Sequence, residues 1–184
     1  MSEIIAKSIG KTQEEIEIIQ YGMHRIFLIT INLSTVFVCG VFWHELLFEI
    51  YLCGIIFLLR SYTGGYHADT EIRCYFLSVS IINLAIACKH FEIIPASLLW
   101  LLYLISTVII VRHVPVMHPE HLLDEKEVQL YSGKVKMYMT FICIVLALGM
   151  LLDIRTLLEG ILYAVLIVAL GMVAGKLKFK KIKF

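Results

Sequence analysis

The residues best suited to covalent chemistry lie between Arg60 and Cys74, in the stretch RSYTGGYHADTEIRC. An arginine, a Gly-Gly pair, a histidine, two carboxylates and a cysteine sit there between two apolar runs, Leu46–Leu59 and Tyr75–Cys88. Cysteine with histidine suggests nucleophilic catalysis, in which a thiolate attacks and an imidazole moves the proton. His67 and Cys74 are seven residues apart. On one straight helix they would share a face but stand about 10 Å apart, against the roughly 2.6–3.2 Å that a nucleophile and its base require. A working dyad therefore demands a chain break, with His67 on a loop and Cys74 at the start of a helix.

The neighbouring residues provide for that break. Gly64 and Gly65 take backbone conformations other residues avoid and let a substrate backbone come close. Asp69 or Thr70 fits the N-cap of a helix running on through Tyr75. Cys74 then falls just beyond the first turn, near the positive end of the helix dipole and beside Arg73, where a thiolate is favoured over a thiol. Backbone amides near Gly64 and Gly65 are candidate oxyanion donors. Arg60 is suited either to a substrate carboxylate or to holding the loop through its carbonyls. The residues alone leave a blander reading open, with Cys74 a buried side chain and His67 a hydrogen-bonded interfacial one.

The motif resembles the accessory gene regulator B (AgrB) peptidases of bacterial peptide quorum sensing, in Arg60, Gly64-Gly65, His67-Ala68 and Cys74 at that family's spacing. Chain length, hydropathy layout and a Pro115-containing loop agree with it. The resemblance implies an integral-membrane cysteine endopeptidase with Cys74 as nucleophile and His67 as base. Such an enzyme trims the C-terminal part of a short propeptide and helps close the remainder into a thiolactone or lactone ring. The later loop departs from the family pattern: it reads VPVMHPEHLLDEK, without the usual Lys-Pro after its first proline. No cofactor and no metal is expected. The expected partners are the propeptide, the lipid bilayer and a second copy in a homodimer, with no nucleic acid.

Bulk properties agree with a membrane location. A chain of 184 residues that is 60% hydrophobic, with mean hydropathy +0.87, is too apolar for an ordinary soluble domain. One all-α integral-membrane domain over 1–184 is expected. Residues 1–24 lack the core and cleavage site of a signal peptide. Ile5, Ile9, Thr12, Ile16, Ile19 and Met23 recur at helical steps, with charges on the other faces. They predict an amphipathic helix lying on the membrane surface or against the bundle.

A six-span bundle over 26–175 is read from the runs Ile26–Trp43, Leu46–Leu59, Tyr75–Cys88, Ile93–Val111, Met137–Leu152 and Leu157–Gly175. A basic cytoplasmic tail, 176–184, follows. With both termini inside the bacterial cell membrane, fourteen Lys and Arg fall on the inner side and only Lys89 and Arg155 on the outer. The positive-inside rule then places the motif in the cytoplasm. The runs flanking the motif measure only about 21 Å as helices, against a hydrocarbon core of about 30 Å. A catalytic pocket dipping below the headgroups is the expectation.

Other candidates weigh less. Cys39, Cys53, Cys88 and Cys143 read as buried small hydrophobes. Glu49 and Glu159 lie within spans but near their outer ends, so snorkelling to the interface is expected. His113, His118, His121 and Glu120 match no tight zinc spacing. The competing class is a small non-enzymatic transporter or channel. The scarcity of ionisable residues in mid-span argues against it.

Overall fold

The structure, a computed structural model, describes residues 13–66, 68–117 and 123–182. In chain order these form α1 (Gln13–Phe42), α2 (Leu46–Thr63), α3 (Glu71–His90), α4 (Ala96–His113), α5 (Glu125–Leu151) and α6 (Arg155–Ile182). All six are long and apolar enough to cross a membrane. Among the described residues there is no strand, only one isolated bridge between Gly64 and Val116.

The connections alternate in kind. The α1–α2, α3–α4 and α5–α6 turns are short, and all three close by the same device. His44, Glu92 and Asp153 take positive φ (57°, 48° and 51°) just past the helix. The next residue donates back five positions, Glu45 N to Gly40 O, Ile93 N to Cys88 O and Ile154 N to Gly149 O, each at 2.9 Å. This pairing satisfies carbonyls that a helix end would otherwise leave bare. The chain is thus three helical hairpins, joined at the opposite end by the longer segments 64–70 and 114–124. The second of these runs into a capping box, Asp124 with Glu127, that starts α5.

The core centres on α6, which packs most extensively against α2 and next against α4. Half of its most apolar window is buried, against 11% for α1 and for α3. Small residues on α6 allow this. A Cβ on Gly160 would lie 2.8 Å from Tyr51 Cβ and 3.2 Å from Phe48 O, so the α2 and α6 backbones nearly touch. Phe48 and Tyr163 meet edge to face at 5.6 Å beside it. Helix α1 rides mainly on α3 and α2, and both α1 and α3 turn many large apolar side chains outward.

Several expectations are corrected. The two short runs are not short helices: α2 and α3 have 18 and 20 residues, about 27 and 30 Å at about 1.5 Å per residue. The polar island is partly helical, since Arg60–Thr63 continue α2 and Glu71–Cys74 begin α3. The short-span argument for a pocket dipping below the headgroups therefore no longer applies. Residues 13–24 continue into the first span as one helix, and 1–12 lie outside the described residues. Residues 176–182 are the last turns of α6.

Glu49 does not snorkel: it is 3% exposed, packed onto Gly40 of α1, where a Cβ would lie 1.5 Å from its Oε2. Glycine on α1 makes room for a carboxyl that would otherwise have to leave the helix interface. The four span cysteines are not uniformly buried. Cys143 is exposed, the other three are half-buried, and all are free thiols. His118, Glu120 and His121 lie outside the described residues.

Candidate active site

The motif begins where α2 stops. Gly64 and Gly65 have φ of 67° and 138°, which only glycine adopts without strain. The turn they make lays the next residues across the face of α6. Tyr66 N–H donates to Gly171 O at 2.9 Å. Arg60, one turn back on α2, donates from Nη2 to Tyr66 O at 2.5 Å. Both backbone groups of Tyr66 are therefore engaged, one by a helix carbonyl and one by a guanidinium. Of the two roles open to Arg60 in the sequence, the structure has it holding the loop. The Tyr66 amide, committed to Gly171, is not free to serve as an oxyanion donor.

Closeness of this order requires missing side chains. A Cβ on Gly175 would stand 2.6 Å from Gly65 C and 2.8 Å from Tyr66 N; on Gly65 it would stand 3.2 Å from Gly171 O. On the far side, Val116 N–H donates to Thr63 O at 2.9 Å, and a Cβ on Gly64 would lie 2.4 Å from Val116 O. The Pro115-containing segment thus covers the glycine turn while α6 supports it. Thr63 is fully buried between them.

Beyond residue 67 the chain is held again. Lys178, near the end of α6, pairs with Asp69 and lies over the Tyr66 ring at 5.0 Å. Hydrogen bonding to that ammonium, with its charge, holds the Asp69 carboxyl below the ordinary carboxylate range. Thr70 then caps α3, its Oγ1 accepting from Arg73 N at 3.3 Å. Of the two cap candidates, Thr70 does the capping. Cys74 N–H donates to Thr70 O at 3.0 Å, which places the thiol just past the first turn, as the sequence predicts.

Cys74 is exposed, so within one chain it is not enclosed in a pocket. Glu71, one turn before Cys74, is 2.8 Å from His24 Nε2 of α1. The two carboxylates of the motif thus have partners on α6 and α1.

Arg60, Gly64 and Gly65 come together in one knot on α6, and Cys74 starts the helix that follows. His67 lies outside the described residues, between the two pinned points Tyr66 and Asp69. Sequence reasoning missed Gly171, Gly175 and Lys178. The signal was present as Gly171-x-x-x-Gly175 in an apolar helix, a spacing that lets another backbone approach closely. The arrangement places a short loop, held at Tyr66 and Asp69, immediately before the helix that carries the Cys74 thiol.

The family profile described as accessory gene regulator B matches residues 1–174. A Clostridium perfringens (strain SM101 / Type A) relative named AgrB-like is 35% identical over 86 residues, covering 44% of this chain and 38% of its own. A second, from strain 13 / Type A and named AgrB-like protein 2, is 31% identical over 86 residues with the same coverage. The matched part spans well under half the length of these relatives. No solved structure matches the chain.

Proposed function

The chain belongs to the accessory gene regulator B family of multi-pass membrane proteins, and from that premise we propose that it is a cysteine endopeptidase. It removes the C-terminal part of a quorum-sensing propeptide and assists ring closure of the remainder. The observation that carries the reading is the chain break at 64–70. Residues 68–70 are not helical and α3 begins only at Glu71, so the roughly 10 Å separation that one continuous helix would impose between positions 67 and 74 does not apply.

In this reading His67 takes the proton from Cys74 Sγ, and the thiolate adds to the scissile carbonyl. The carbon–nitrogen bond breaks, the imidazolium returns its proton to the departing amine, and an S-acyl enzyme remains. Water converts it to a linear acid. A thiol within the peptide converts it to a thiolactone and regenerates Cys74. Thioester exchange is nearly thermoneutral, so ring closure needs water kept from the thioester. With Cys74 exposed on a single chain, the substrate, the surrounding lipid or a second copy of the chain must supply that exclusion.

Purified protein in proteoliposomes, incubated with a candidate propeptide and analysed by mass, should carry an acyl adduct that maps to Cys74. Cleavage without any adduct, undiminished in Cys74→Ala, overturns the peptidase assignment. The cytoplasmic placement of the motif belongs to the same proposal. Single cysteines at Ser2, Ser132 and Phe184, in a cysteine-free background, should resist an impermeant thiol reagent in intact cells, while one at Glu92 reacts. Labelling at Ser132 from outside would put the cleavage on the cell surface.

A further inference from the structure

We infer that the last third of α6, through Gly171, Gly175 and Lys178, is a positioning platform for the base-bearing loop. The inference rests on the peptidase reading. Its warrant is that α6 touches the loop on both sides of residue 67. Upstream, Gly171 O accepts from Tyr66 N–H, and Gly175 leaves the space in which the Gly65–Tyr66 peptide lies. Downstream, Lys178 holds Asp69. Arg60 completes the clamp, since a Cβ on Gly171 would come 3.0 Å from its Nη1 while its Nη2 holds Tyr66 O. The two anchors, Tyr66 and Asp69, are three residues apart in the chain. The helix that carries these contacts has the largest buried share of the six spans.

A graded set of substitutions follows from the spacing. Gly175→Ala collides with backbone on both Gly65 and Tyr66, so the loop must lift. A misplacement of about 1 Å lowers cleavage by about 100-fold. Gly171→Ala meets only the end of the Arg60 side chain, which can shift, and costs less. Lys178→Met removes an exposed ion pair and costs about fivefold at most. Lys178→Arg restores most of it. Gly54→Ala and Gly133→Ala, also in helices but with nothing within 4 Å of the added methyl, leave cleavage unchanged.

The test uses full-length protein in proteoliposomes, with Cys74 as sole cysteine for reactivity and a cysteine-free chain for crosslinking. Cleavage and the pH profile of Cys74 alkylation are read on each variant. The separate Asp69→Cys/Lys178→Cys pair is treated with a short bifunctional thiol reagent. The platform is supported if the pair crosslinks while an Asp69→Cys/Leu170→Cys pair, with Leu170 facing outward, does not. It also requires that Gly175→Ala move the alkylation profile toward that of His67→Ala. It falls if Gly175→Ala and Lys178→Met match the parent in both readouts while His67→Ala still abolishes cleavage. In that outcome the peptidase reading stands alone. If His67→Ala itself leaves cleavage and alkylation unchanged, His67 is not the base and the platform falls with the dyad, while the Cys74 adduct still decides the peptidase reading.

Discussion

The two halves of the motif are held in opposite ways. The loop side, from Arg60 to Asp69, is tied to α6 by a backbone hydrogen bond, two glycine close approaches and a lysine, and to α2 by the Arg60 guanidinium. The thiol side begins α3, which leans chiefly on α1, touches α2 and α6 only lightly, and leaves Cys74 exposed. For the proposed dyad the difference would separate two requirements. The residues on either side of the proposed base are closely packed against α6. The proposed nucleophile sits on the outer pair of helices, open to a substrate lying along the membrane. Alignment of the two is then decided by how the α1–α3 pair seats against α2 and α6, a geometry on which rates depend steeply.

The largest effects should fall on the reacting groups themselves. Cys74→Ser should reduce cleavage to background while the protein stays folded in the membrane, because an exposed side chain contributes little packing. His67→Ala should cost about 10²- to 10⁴-fold, the range for a general base, and slow alkylation of Cys74. Propeptide cleavage assayed in vesicles separates the two. Near-parental cleavage in His67→Ala would move the base to the outer side of the comparison, where His24 is the histidine paired beside Cys74's turn.

A smaller effect concerns acid. The Asp69 carboxyl is depressed in the fold by Lys178, so its contribution is present above the ordinary carboxylate range. That contribution is lost as pH falls through the lowered value. The loop should therefore keep this latch throughout the neutral range and down through mild acid. Crosslinking between a tagged loop and α6, followed against pH, should show a step at low pH that Asp69→Asn removes. A latch that weakens instead between pH 6 and 8 would point to a histidine as its partner.

The smallest expected effect is on the thiol side. His24→Ala or Glu71→Gln breaks a pair exposed on both partners, worth less than about 1 kcal/mol, so cleavage should change by fivefold or less. A loss approaching that of His67→Ala would show that the seating of α3 on α1 is set as tightly as the loop on α6.

Much of this molecule was legible from residue order. Six apolar runs, punctuated by polar breaks, dictate six helices, because a chain in lipid must satisfy its own backbone. That the two flanking the motif extend into the polar island to reach spanning length came only from the structure. Asp69 or Thr70 ahead of Arg73 and Cys74 marks the start of α3, since a cap is a local bond within one turn; the structure chooses Thr70. The Gly64-Gly65 pair marks the turn that must precede it. What the order of residues could not give is what each polar group meets across the bundle. Arg60 had two open roles until Tyr66 O appeared in front of it. Glu49 looked free to reach water until Gly40 proved to be its neighbour. Lys178 read as one charge in a basic tail until the helix continued and brought it to Asp69, more than a hundred residues earlier in the chain. Those pairings depend on which helix faces which, and the packing of small residues on α6 against α2 decides that; no spacing within a single helix encodes it.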